Sequence, residues 1–207
     1  MFDVQCSMLD VHLCWDFQFH RICGYLDNRL IKLKYNPNVL KMLSKILNLK
    51  DLVPTVNSLR EAGKRVVFTN GCFDILHVGH IRYLAAAKDH GDILVVGLNS
   101  DKSVKTIKAK GRPIVGQDQR AEVLAALWFV DYITVFNEPD PLLLIQTLKP
   151  NVLVKGADWP EEKIIGADFV KANGGRVVRI EVVPEISTSR IIRRIVNRYQ
   201  DPSLLDT

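Results

Sequence analysis

Cysteine is scarce in this chain and badly placed for a staple. The four, Cys6, Cys14, Cys23 and Cys72, form no CxxC pair, and three fall in the first 23 residues. A disulfide framework is therefore not what holds the fold together. With His12 and His20 the early cysteines offer metal-ligand chemistry, but their spacing matches no common zinc pattern, so incidental thiols and no metal centre are expected. Long apolar runs are also missing. Asp3, Asp10 and Asp16 interrupt the apolar residues at the amino end, and no basic n-region precedes them, so neither a secretory leader nor a membrane span is expected, and the cytoplasm is the expected compartment. Internal repeats and low-complexity tracts are absent. Charge of one sign is not concentrated either: 28 Lys and Arg face 23 Asp and Glu, for a net charge of +5 and a pI of about 9.0. The basic residues are scattered from Arg21 to Arg198, which predicts no nucleic-acid stripe and leaves phosphate-bearing small molecules as the anions that fit.

What is present suits one substantial domain. With 47% hydrophobic and 25% charged residues in 207, the chain has enough apolar side chain for a core and too little length for two full enzymes. Composition shifts near residue 45. Residues 1–44 read as an N-terminal extension of unknown role, 45–199 as the working domain and 200–207 as a tail. Phe2, Trp15, Phe17 and Phe19 in the extension form a patch that needs covering if exposed, and a homodimer would cover it.

Helical spacing of Val39, Leu40, Leu43, Ile46 and Leu47 predicts a helix over 38–48, and Leu52, Val56 and Leu59 predict a second closed by Gly63. Beyond Arg65 the pattern alternates. Strands are predicted at 66–68, 93–98, 132–136, 152–154 and 177–182, and helices near 78–89, 118–128, 141–148, 166–173 and 188–199. The strands are continuous apolar runs, as expected where helices cover both faces of a parallel sheet. The predicted fold is α/β: a Rossmann-like, doubly wound parallel sheet of about five strands. Ligands should meet the carboxyl ends of those strands.

The first strand leads into Thr69-Asn70-Gly71-Cys72-Phe73-Asp74-Ile75-Leu76-His77-Val78-Gly79-His80. A loop and helix start at that position present unpaired N–H groups and a partial positive charge to an anion, while Gly71 and Gly79 would allow close approach to the main chain. His77 and His80 are three apart and share a helical face. Two imidazoles there can donate to phosphate oxygens and stabilise charge on a pentacoordinate phosphorus, although capping, core packing or metal binding also suits such a pair. Transfer of a nucleotidyl group by in-line attack of a phosphate oxygen depends mainly on positioning and electrostatics, so it needs neither a covalent step nor a general base.

HVGH at 77–80 resembles the HxGH signature of nucleotidyltransferases related to class I aminoacyl-tRNA synthetases. No second lysine motif of the KMSKS kind follows, and the chain is short for a synthetase. FTNGCFDILHVGH, VGLNSD, GRPI, RAEVLAAL, VDY, VLVKGADW and the final STS before a helix together resemble, in order over roughly residues 45–197, the adenylyltransferase domain of ADP-heptose synthase. The resemblance implies transfer of AMP from ATP, with magnesium, to D-glycero-β-D-manno-heptose 1-phosphate, giving ADP-heptose and pyrophosphate for the inner core of lipopolysaccharide. It also implies a stand-alone transferase supplied by a separate kinase and phosphatase. Glycerol-phosphate cytidylyltransferases share the GADW-like motif, so CTP with glycerol phosphate or another polyol phosphate is the alternative; a silent nucleotide-binding protein is another.

Site roles follow from the same resemblance. Thr69, Asn70, Gly71, Cys72, Phe73, Asp74, His77 and His80 are expected to hold the triphosphate, with the main chain rather than the thiol of Cys72 in use. Lys108 and Lys110 would meet phosphates from a mobile loop, and Arg120 would reach phosphate from its helix, unless each is an ordinary surface cation. Asp74, Lys108 and Arg120 are also the expected sugar-phosphate contacts, and His77, His80, Lys108 and Arg120 the catalytic set. Lys155, Gly156, Asp158 and Trp159 follow a strand and are expected at the nucleotide, Asp158 accepting from base or sugar and Trp159 stacking. Ser187, Thr188 and Ser189 would cap the last helix, bind leaving phosphates, or both.

Overall fold

The computed structural model describes residues 36–199. The early cysteines and aromatics on which the metal and dimer readings rest lie outside them. The chain divides between Ser44 and Lys45. On the amino side, a short helix, Pro37–Leu43, is capped by the Asn36 side chain and ends at Ser44.

The unit that starts at Lys45 alternates helix and strand: α1 (Leu49–Glu61), β1 (Val66–Gly71), α2 (Val78–Lys88), β2 (Ile93–Asn99), α3 (Asp101–Ile107), α4 (Gln117–Ala125), β3 (Tyr132–Phe136), α5 (Leu142–Leu148), β4 (Val152–Gly156), α6 (Ala167–Ala172), β5 (Arg176–Ile180) and α7 (Thr188–Arg198). All five strands are parallel, in the order β3-β2-β1-β4-β5. The expected doubly wound sheet is therefore present. Its order reverses between β1 and β4, which is where the crevice for a ligand opens in such sheets.

The apolar strand runs explain the layering. Val66, Val67, Phe68 and Thr69 are all fully buried, so side chains on both faces of β1 are covered. Phe68 stands in register with Val95 of β2 and Leu153 of β4, and all three belong to one cluster that also takes in Leu52 and Val56 of α1. Each such side chain contributes roughly 1.5–3 kcal/mol by leaving water. Gly63 ends the α1 region with a φ of +77°, a left-handed conformation that favours glycine.

Two predicted elements differ. The helix expected over 38–48 stops at Leu43, and Lys45 to Leu47 instead lies along β3: Ile133 N–H donates to Lys45 O at 2.8 Å and Leu47 N–H to Ile133 O at 2.9 Å. Pairing with the sheet edge outweighs helical spacing there, since it satisfies backbone groups that an edge strand leaves open. The second is α3, a helix where the sequence pattern predicts none. Ser100 caps it through Ser103 N–H, and buried Ser103 and Val104 fix it to the sheet. Among the described residues no helix is long and apolar enough to cross a membrane.

Candidate active site

The carboxyl ends of β1 and β4 open into a cavity of about 570 Å³, within the range of nucleotide-sized sites. Asn70 and Gly71 end β1, Lys155 and Gly156 end β4, and both pairs line it, as do Cys72, Phe73, Asp74, His77 and His80 from the first loop and helix. Lys108, Asp158, Trp159 and Ser187 to Ser189 complete the contribution from expected residues. Segments far apart in sequence thus converge where the sheet topology predicts.

His77 is the N-cap of α2, with extended backbone, rather than a residue within the helix. Its ring still meets that of His80: the two stack with centroids 3.8 Å apart, and Phe73 packs edge-on against His80 at 5.3 Å. Burial lowers the pKa of His77, and burial together with the neighbouring His77 lowers that of His80 to about 4. Both imidazoles are therefore mainly neutral at pH 7. The Nδ1 atoms of both are buried and have no partner among the described residues, a costly state that a hydrogen-bonding ligand would relieve.

Glycine at 79 has a specific cause here. A Cβ on it would lie 3.0 Å from His77 Cε1 and Nδ1 and 3.2 Å from Ile186 Cγ2. The space it leaves is therefore occupied by the His77 ring, and not only by an incoming phosphate as the sequence suggested. At Gly156 a Cβ would meet Asp158 Oδ1 at 2.3 Å, so this glycine allows the Asp158 carboxylate to fold back over the strand end.

Lys155 donates to Asn70 Oδ1, tying β4 to β1 at the switch point. Burial pulls its ammonium down to about 8, with Asp158 and Cys72 opposing. Burial also raises the Cys72 thiol, against the pull of Lys108, Arg120 and Arg112. A thiol kept protonated at neutral pH is a poor nucleophile. Ser187 does cap α7, accepting from Arg190 N–H at 3.2 Å, and Thr188 Oγ1 donates to Ile75 O at 3.3 Å. That bond joins the start of α7 to the loop before His77.

Three expected contacts do not reach the cavity wall. Thr69 is fully buried and shares a 2.7 Å hydrogen bond with the Tyr83 hydroxyl, which also donates to Val154 O at 3.1 Å. Lys110 is exposed on its loop and does not line the cavity. Arg120 is 1% exposed. Its Nε donates to Val115 O at 2.9 Å, its Nη1 to Cys72 O and to Asn99 O (2.9 Å), and its Nη2 to Asp101 Oδ1 at 2.8 Å. Four donations into the scaffold leave the guanidinium no face for a phosphate, so the expected direct contact is replaced by a structural one. Asp74 differs in the same sense: its carboxylate accepts from Ile114 N–H, Val115 N–H and Arg112 Nε. Burial opposes its ionisation, but these donors outweigh burial and lower its pKa.

Sequence reasoning missed Tyr83, Asn99, Arg112, Val182, Val183 and Ile186, all of which line the cavity. Tyr83 stands three residues after His80, on the same helical face, and that spacing was a readable signal.

A doubly wound parallel sheet whose switch-point cavity holds paired imidazoles at a helix start, with Lys155 at the end of β4 and Lys108 after α3, has the form of a site for a nucleotide's phosphates. Comparison with known proteins narrows the class: residues 68–194 match the model of the cytidylyltransferase-like family, and the chain belongs to that family. It is 49% identical over 156 residues to the bifunctional protein HldE of Geobacter metallireducens, covering 75% of this chain and 32% of that protein. Against the protein of the same name from Syntrophotalea carbinolica it is 50% identical over 157 residues, covering 76% and 32%. The chain thus spans about a third of the length of these curated relatives. The crystal structure of the lipopolysaccharide core biosynthesis protein from Thermoplasma volcanium superposes with a TM-score of 0.51 at 30% identity, over 58% of this chain and 99% of that one.

Proposed function

We propose that this chain transfers AMP from MgATP to D-glycero-β-D-manno-heptose 1-phosphate. A phosphate oxygen of the acceptor attacks the α-phosphorus of ATP, the bond from that phosphorus to the bridging oxygen breaks, and ADP-heptose and pyrophosphate result. The observation that carries the transfer chemistry is the stacked His77–His80 pair with unpartnered Nδ1 atoms at the start of α2. Neutral imidazoles can donate to a phosphate while avoiding mutual repulsion, and the helix start adds N–H groups and dipole. Lys108 and Lys155 supply positive charge on two sides of the cavity, and Lys110 on the same loop as Lys108 can reach it when that loop closes. Asp158 and Trp159 are assigned to the base and ribose, and the Ser187-to-Ser189 cap to the leaving phosphates. The heptose acceptor is supported by the high identity to the HldE proteins.

Among the described residues no cluster of three or more His, Cys, Asp or Glu side chains stands ready for a metal. Magnesium enters this reading as part of the MgATP substrate, neutralising charge on the triphosphate. The reading places the protein in the cytoplasm as a homodimer, and sedimentation of the full chain tests the latter. The match to a cytidylyltransferase-like family keeps CTP in view as the donor, with the glycerol 3-phosphate or other polyol phosphate of the sequence resemblance as its acceptor. Incubation with each triphosphate and each acceptor, followed by pyrophosphate release, separates them. Turnover with ATP and heptose 1-phosphate is expected; turnover confined to CTP and glycerol 3-phosphate would overturn the proposal.

A further inference from the structure

Arg112 stands in the loop that follows α3. Its side chain is 13% exposed and lines the cavity. Its Nε donates to the Asp74 carboxylate, whose own side chain is completely buried. Asp74 is fixed in turn by Ile114 N–H at 2.8 and 3.0 Å and by Val115 N–H at 2.8 Å. Val115 O is held from the other side by Arg120 Nε. The guanidinium of Arg112 is thus held at one edge by a carboxylate that backbone donors fix in place, while its two terminal nitrogens have no hydrogen-bond partner among the described residues. An arginine held this way is a preorganised fork, and a planar fork matches the oxygens of a phosphate monoester.

The neighbouring geometry identifies which anion it serves. Lys108 ends α3, and residues 112–115 are pinned by Asp74, so 108–111 form a short arch strung between two fixed points, with Gly111 at a φ of +87°. Lys108 and Arg112 line the cavity from the segment that follows β2, whereas Lys155 and Asp158 come from the end of β4 and Ser187 from beyond β5, on the other side of β1 in the strand order. Two cations on the β2 side suit a second anionic group distinct from the triphosphate.

We infer that Arg112 binds the phosphate of the acceptor, a phosphate monoester dianion, and that Asp74 is the positioning residue that aims it rather than a ligand contact. This inference rests on the proposed nucleotidyl transfer to a sugar phosphate. It needs no particular sugar.

The test uses the full chain and four variants, Arg112→Gln, Arg112→Lys, Asp74→Asn and the double variant Arg112→Gln with Asp74→Asn, each checked by near-ultraviolet circular dichroism for a native fold. Binding of inorganic phosphate is measured by calorimetry with a non-hydrolysable ATP analogue bound, and steady-state kinetics are run where wild type turns over. Arg112→Gln should weaken phosphate binding and raise the acceptor KM at least tenfold, with the KM for MgATP changed less than twofold. Arg112→Lys should restore little, because a point charge cannot reproduce the fork. Asp74→Asn should raise the acceptor KM less than Arg112→Gln does, and the double variant should be no worse than Arg112→Gln alone. Unchanged phosphate binding in Arg112→Gln would overturn the inference, as would a tenfold rise in the ATP KM instead of the acceptor KM. If wild type fails to use any sugar phosphate, the transfer reading fails separately, while the phosphate titration still decides Arg112.

Discussion

Replacing Arg120 by methionine separates a scaffold role from a phosphate contact. The guanidinium lies 1% exposed and donates to the carbonyls of Cys72, Asn99 and Val115 as well as to Asp101. Methionine fills much of the volume but leaves three carbonyls without that donor, at about 1–2 kcal/mol each. Asp101 adds little, because its side chain is 36% exposed and can return to water. The sum is about 3–6 kcal/mol, a large share of the roughly 5–15 kcal/mol that stabilises a domain. For a unit of this size that corresponds to a fall in Tm of roughly 10 °C. Differential scanning calorimetry reads it directly, with turnover measured well below the transition so that the folded variant is assayed. A Tm within about 2 °C of wild type, accompanied by a loss of turnover of about a thousandfold or more, would refute the scaffold account and restore direct phosphate contact.

The site makes further predictions. His80→Ala should lower kcat by about 10²–10³-fold while leaving the fold intact, read by circular dichroism and pyrophosphate release. Because burial holds the His80 pKa near 4, kcat/KM should show no acid limb from this group between about pH 5 and 7. Lys155, whose pKa burial pulls down to about 8, is charged below that pH and loses its charge above it. An alkaline limb near 8 in kcat/KM for the nucleotide should disappear in Lys155→Met. In Gly79→Ala the new Cβ would press on the His77 ring at 3.0 Å; kcat should fall about tenfold with a stability cost of about 1 kcal/mol in urea unfolding.

Much of this was legible in the sequence because the signals were local. Val66 to Phe68 followed by HVGH marks a strand, a loop and a helix start without reference to anything distant. The apolar runs at β2 and β3 read equally well, since a strand covered on both faces needs apolar residues throughout. Long-range competition was not legible. Ile46 sits at helical spacing yet pairs with Ile133, because only the folded sheet presents an edge for it. The charged DKSVKTI segment resembles a loop until Ser100 is seen to cap it.

The same limit governs Arg120 and Asp74. A charged residue close to a phosphate motif gives one sequence signal whether it faces the ligand or supports the residues that do. Only the burial of Arg120 and the backbone donors around Asp74 distinguish the two. Tyr83, which links Thr69 to the end of β4, was hidden for a related reason: its partners lie on two other elements.

The central claim is that the acceptor phosphate attacks the α-phosphorus within the His77–His80 cavity, and isotope tracing tests it most directly. Heptose 1-phosphate carrying ¹⁸O at its non-bridging phosphate oxygens is incubated with MgATP and the protein, and the products are weighed by mass spectrometry. The account predicts every label in ADP-heptose, none in pyrophosphate, and loss of both products in His80→Ala. Release of AMP, or ¹⁸O in pyrophosphate, would contradict it.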